Sequence, residues 1–168
     1  MVRPATQDDL SAILAIYSAI LAIYNDAVLN STAIWNDRVV DLENRRAWLL
    51  DRQSRNYPVL VAEDGGKVIG YSSFGDFRPF DGYRLTVEHS VYVANSARRN
   101  GFGRALVEAL FKPALSSGKA VRVGGIAADN VASLKLHADL GFIETARMPG
   151  VGIKFGRRLD LVFMQKQL

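Results

Sequence analysis

A seven-residue string, SAILAIY, stands at residues 11–17 and again without a break at 18–24. An identical heptad in direct tandem reads as a duplicated segment, and it restricts local structure more tightly than any composition figure. Seven residues advance an α-helix by about 700°, only about 20° short of two turns. A second copy therefore keeps the apolar face of the first and adds about 10 Å of helix. The repeat also makes an apolar run over residues 12–24, broken only by Ser18. A membrane-spanning helix needs about 20 such residues. A signal peptide needs a basic leader, whereas Gln7, Asp8 and Asp9 precede this run. The run is expected to be a helix of a globular domain, opened by a Thr6 to Asp9 capping box and reaching about Val28.

Without one copy the 168 residues become 168 minus seven, or 161, and either length suits a single domain spanning 1–168. Lys and Arg number 21 against 17 Asp and Glu, a net charge of +4. That surplus suits an anionic ligand and is too small to imply nucleic acid. There is no Cys, which excludes disulfides, Cys-ligated metals and a Cys nucleophile, and points to the cytoplasm. Two histidines, His89 and His137, are too few for a His-rich metal site, so no metal is expected. No membrane contact is expected either.

Punctuation by Gly, Pro and Asn divides the rest. Residues 2–6 form an edge strand and 30–36 a polar loop. Asp41 caps a helix over 42–55, with Leu42, Trp48 and Leu49 as core candidates. Strands at 57–63 and 67–77 flank an Asp64-Gly65-Gly66 turn, a hairpin signature. A loop over 78–82 precedes a strand at 86–93. A helix over 104–115 ends at Gly118, followed by a strand at 120–127. Asn130 opens a helix closed by Leu140-Gly141, with Gly at C′. A strand at 142–147, a glycine-rich loop at 148–155 and a strand at 158–167 complete the order β-α-α-β-β-β-α-β-α-β-β.

Chemistry concentrates where strand 86–93 meets the next helix through Arg98-Arg99-Asn100-Gly101-Phe102-Gly103-Arg104. Glycines there let a ligand approach backbone N–H groups, and a helix N-terminus favours anions. With three arginines this makes a diphosphate cradle; the same residues also admit a plain tight turn. A P-loop GK[ST] is missing, and Leu106 stands where a dinucleotide fingerprint needs its third glycine. Glu88 lies mid-strand among Val87, Val91 and Val93, a setting that raises a carboxyl pKa and suits a general base. Strand alternation sends the adjacent His89 to the opposite face, in a mainly structural role.

The stretch Arg98-x-x-Gly101-x-Gly103 resembles the acetyl-CoA signature of the GNAT N-acetyltransferases, and Asn130, Ser133, Leu136, His137 and Gly141-Phe142 resemble their next motif. The segments at 31–37, 74–84, 86–93 and 148–165 resemble more closely the phosphinothricin/methionine sulfone acetyltransferase subfamily. The resemblance covers nearly the whole chain except the second heptad, since relatives carry one. It implies an α/β GNAT fold: a central mixed, mostly antiparallel sheet flanked by about four helices. It implies acetyl-CoA as acetyl donor, a small amino acid analogue as acceptor, and a homodimer.

By the same resemblance, Glu88 is the base and His137 a second acid–base group able to protonate the leaving thiolate. A half-buried, hydrogen-bonded helix histidine is the other reading of His137. Val91, Tyr92 and Val93 would polarise the thioester, a role suited to oriented N–H donors. Residues 98–104 (Arg98, Arg99, Asn100, Gly101, Phe102, Gly103 and Arg104) would hold the diphosphate, and Asn130 and Ser133 the pantetheine arm. Arg78, Pro79 and Phe80 occupy the substrate loop, where Arg78 suits a carboxylate. Glu88, His89 and Ser90 lie beside the acceptor, while Trp35 and Tyr83 line either its pocket or the core. Phe77 departs from the Trp usual in close relatives. Two alternatives stay open: another amine as acceptor, such as a polyamine or peptide N-terminus, and a non-catalytic acyl-CoA-binding module.

Overall fold

The computed structural model describes residues 1–5 and 10–168, with backbone only for 10–13. The expected Thr6 to Asp9 capping box lies outside the described residues. The repeated heptads form one continuous helix, α1 (Leu10–Asn30). Ile16 and Ile23 hold the same place in the two copies and are both buried, at 2% and 7% exposure. Helical phase therefore carries through the repeat, as seven residues in about two turns require. Asp41 accepts the Asn44 N–H at 2.9 Å and caps α2 (Leu42–Ser54). Leu49 of α2 is fully buried, whereas the expected core residue Leu42 is exposed and Trp48 is only partly covered.

Seven strands form one sheet among the described residues: β1 (Val2–Pro4), β2 (Val59–Asp64), β3 (Lys67–Asp76), β4 (Thr86–Val93), β5 (Val121–Ala127), β6 (Ile143–Lys154) and β7 (Arg157–Gln167). Their spatial order is β1-β2-β3-β4-β5-β7-β6. All neighbours are antiparallel except β4 and β5, which run parallel. Helices α1 and α2 cover one face, with Ile16, Tyr17, Ile20 and Ile23 packed on Val59, Val61 and Tyr71. The other face carries α3 (Phe102–Ala109), α4 (Phe111–Ser116) and α5 (Val131–Asp139). There Leu106 and Leu110 pack on Leu60, Phe74 and Val87.

Two expected elements differ. The single helix over 104–115 starts earlier, at Phe102, and breaks at Leu110 into α3 and α4. Pro113 has no N–H to return to the Ala109 carbonyl, so the ladder cannot run through. The expected glycine-rich loop at 148–155 is strand: β6 runs on to Lys154, with a register shift between Met148 and Gly152. Its glycines serve a bulge. Gly150 takes φ +59°, and at Gly152 a Cβ would lie 2.9 Å from Trp35 Cδ2.

Candidate active site

Strands β4 and β5 pair only from Thr86↔Val121 to Glu88↔Val123, although both run further. Beyond Glu88 they part, and the sheet opens into a wedge. Ala94 N–H bonds the Ile69 carbonyl at 2.8 Å on the β3 side. By alternation the amides of Val91 and Val93 face the open wedge, while that of Tyr92 faces β3. The expected use of Tyr92 as an amide donor is thus corrected: its N–H belongs to the sheet ladder. The Val93 carbonyl on the open side accepts from Arg98 Nε at 3.2 Å.

A cavity of about 300 Å³ occupies the wedge and is lined by Glu88, Ser90, Gly124, Gly125, Ser133 and His137, among others. Glu88 is half-buried; burial raises its carboxyl pKa, against the charge of Arg78, which lowers it. The glycine pair of β5 serves one group on each face. A Cβ at Gly125 would lie 2.9 Å from Glu88 Oε1, and a Cβ at Gly124 would lie 3.1 Å from His89 Cε1. The expectation that Glu88 and His89 point to opposite faces holds.

His89 and His137 are both buried, at 6% and 2% exposure, and join Nε2 to Nε2 at 2.9 Å. His137 Nδ1 donates to the Ser133 carbonyl at 2.7 Å, which leaves His137 Nε2 to accept from His89. Both ring nitrogens of His137 therefore have partners inside the protein. This corrects its expected role as a second acid–base group and favours the structural reading. His89 borders the same cavity but is 6% exposed and packed beside Phe142, in keeping with its mainly structural reading. Burial lowers both imidazole pKa values, and the charge of buried Arg122 lowers them further.

The wedge continues into a groove of about 1040 Å³ lined by Val91, Val93, Arg98, Arg99, Gly101, Gly103, Arg104, Asn130 and Ser133, among others. Arg99 adopts φ +66° and Gly101 φ +81°. A left-handed non-glycine residue costs about 1–2 kcal/mol, so this turn is held against a local preference. At Gly103 a Cβ would meet nothing closer than 3.7 Å. The protein alone has room for a side chain there, so the glycine keeps the groove clear for a ligand. Asn130 caps α5, its Oδ1 accepting Ser133 N–H at 3.2 Å, and lines both spaces. The residues thus fit a long ligand with a diphosphate at one end.

Other expected residues sit apart. Phe102 packs into the core and Asn100 is exposed; neither lines the groove. Arg78, Pro79 and Phe80 are exposed outside the cavity, and Arg78 Nη1 donates to the Phe77 carbonyl at 3.1 Å. The Phe77 ring stands edge-on to Tyr83 at 5.8 Å. Tyr83 therefore packs on a ring, and Trp35 lies against Gly152, rather than lining the cavity. Sequence reasoning missed Arg52, Ser73, Gly75 and the Gly124-Gly125 pair as cavity residues. Two adjacent glycines inside a β-branched strand were the available signal.

A profile of the acetyltransferase (GNAT) family matches residues 20–142. The chain belongs to this family. It is 58% identical over 151 residues to the L-methionine sulfoximine/L-methionine sulfone acetyltransferase of Salmonella typhimurium, covering 90% of this chain and 88% of the relative. A Salmonella typhimurium structure with its cofactor acetyl-CoA superposes with a TM-score of 0.93 at 54% identity, covering 100% of this chain and 93% of the other. A phosphinothricin acetyltransferase from Sinorhizobium meliloti in complex with acetyl-CoA gives 0.92 at 32% identity, covering 100% and 88%. The mixed sheet with flanking helices matches the fold implied by the sequence motifs.

Proposed function

We propose that this acetyltransferase takes acetyl-CoA and acetylates the amine of a small amino acid analogue such as methionine sulfone or methionine sulfoximine. The observation that carries the reading is the position of Glu88. Its desolvated carboxyl faces a cavity continuous with a groove shaped for a diphosphate. Acetyl-CoA would supply a thioester, and an ammonium must lose a proton before it can attack one. Glu88 accepts that proton, and burial brings its pKa closer to the working pH. The unpaired amides of Val91 and Val93 point into the wedge, where they stabilise charge developing on the thioester oxygen. Arg98, Arg99, Arg104 and the amides opening α3 hold the diphosphate. Asn130 and Ser133 border the pantetheine path. Ser90 lines the acceptor side, and Arg78 acts on Glu88 through its charge.

The whole chain, 1–168, would work as one catalytic domain. Residues 143–149 of the edge strand β6 are all exposed, including Ile143 and Met148. An uncovered sheet edge with exposed apolar side chains is one that a second copy could cover, in keeping with a homodimer. Sedimentation should then give twice the 18.5 kDa chain mass. The activity is tested by thiol release from acetyl-CoA against a panel of amines. Release with methionine sulfone and sulfoximine, and little with polyamines, is expected. No thiol release with any amino acid analogue overturns the reading.

A further inference from the structure

Arg52, in the last turn of α2, has a buried Nε without a hydrogen-bond partner. Its guanidinium packs against Gly75 of β3, where a Cβ would run into Nη1 and stand 2.8 Å from Cζ. Gly75 does not adopt positive φ, so the backbone does not require glycine; the space for Arg52 does. Gly75 pairs with Glu88 across the β3–β4 ladder. Directly paired residues present the same face, with Cβ positions about 4.5–5.5 Å apart. The guanidinium and the Glu88 carboxyl therefore border one cavity side by side.

They do not pair with each other, because the Glu88 carboxyl leans the other way, toward Gly125. The nearby Asp76 carboxylate is held by Arg55 Nη1 at 2.8 Å and by the Tyr57 hydroxyl. Among the described residues lining this cavity, Arg52 is the only Lys or Arg, and it makes no ion pair. A fixed cation beside a base fits a ligand whose amine and carboxylate sit one carbon apart. We propose that Arg52 recognises the α-carboxylate of the acceptor. This gives the acceptor's carboxylate a partner within the cavity and rests on the reading of Glu88 as the base. A planar guanidinium suits the two carboxylate oxygens.

The test compares wild type, R52Q and R52K on L-methionine sulfone and on its α-carboxamide, which keeps the amine and loses the charge. For R52Q the KM for the acid should rise about tenfold to a hundredfold, the usual cost of losing a charged hydrogen bond. Its kcat/KM for the amide and its KM for acetyl-CoA should stay within about twofold, and R52K should recover part of the loss. Equal effects on acid and amide, or none on either, overturn the proposal. Calorimetric titration of L-methionine sulfone into each protein separates this from the reading it rests on. Weaker binding to R52Q than to wild type supports Arg52 even where turnover is absent. Equal binding, or none to wild type, sinks it.

Discussion

The buried His89–His137 pair makes stability depend on pH in a calculable way. The two Nε2 atoms share one hydrogen at 2.9 Å, and the rings stack with centroids 5.1 Å apart. Protonating the accepting His137 Nε2 would turn that hydrogen bond into a clash between two donors, and a proton on the free His89 Nδ1 would bury an imidazolium beside the Arg122 charge. Burial first, and Arg122 next among the charges, hold both imidazoles below their ordinary value. The unfolded histidines protonate near pH 6.5 and the folded ones at lower pH, so the unfolded chain binds more protons as pH falls through that value. Stability from this pair is therefore full above about pH 6.5 and falls as pH drops, by up to about 1.4 kcal/mol per pH unit for each histidine. Between pH 7.5 and 5.5 the pair should remove at most about 2–3 kcal/mol. Glu88 acts in the opposite sense, since its raised folded pKa favours the folded state as pH falls. Urea unfolding between pH 5.5 and 7.5 on the E88Q background isolates the histidines. A free energy flat within about 0.5 kcal/mol, or an imidazole NMR titration near pH 6.5 for either residue, would refute the reasoning.

Three further outcomes are expected. G125A should push the Glu88 carboxyl, whose Oε1 lies 2.9 Å from the new Cβ, and lower kcat while leaving the KM for acetyl-CoA unchanged. R98A should raise the KM for acetyl-CoA and preserve kcat, because it removes both a groove cation and the clamp on the Val93 carbonyl. Deleting either heptad gives the same chain, in which Leu10 takes the place of Tyr17 in helical phase. It should fold and bind acetyl-CoA, with a melting temperature within about 10 °C of the parent, a change of about 3–4 kcal/mol at this size. An unfolded product would show that the extra two turns have become structural.

Much of the architecture was legible because local signals agreed with the tertiary fold. The hairpin around Asp64-Gly65-Gly66, the Asp41 cap, strand 86–93 and the Gly141 C′ residue with φ +82° all follow from turn and cap chemistry. The errors came where one residue type has two uses. The glycines at 150 and 152 read as loop because sequence alone does not separate a bulge from a turn. Within the site, Glu88 and the residues 98–104 were readable from burial pattern and charge. Arg52 was not, because α2 carries several arginines and only the fold shows which one lies over a glycine. The pairing of His137 with His89 joins residues 48 apart on a strand and a helix, which no local pattern reports.

The most direct test of the account is the steady-state rate of E88Q with acetyl-CoA and L-methionine sulfone, followed by thiol release across pH. Loss of a general base should lower kcat/KM for the acceptor by about 10²–10⁴ and leave the acetyl-CoA KM unchanged. The acidic limb of the wild-type profile, set by the raised pKa of Glu88, should vanish with it. An E88Q enzyme that keeps wild-type turnover and the same acidic limb would contradict the claim that Glu88 takes the proton.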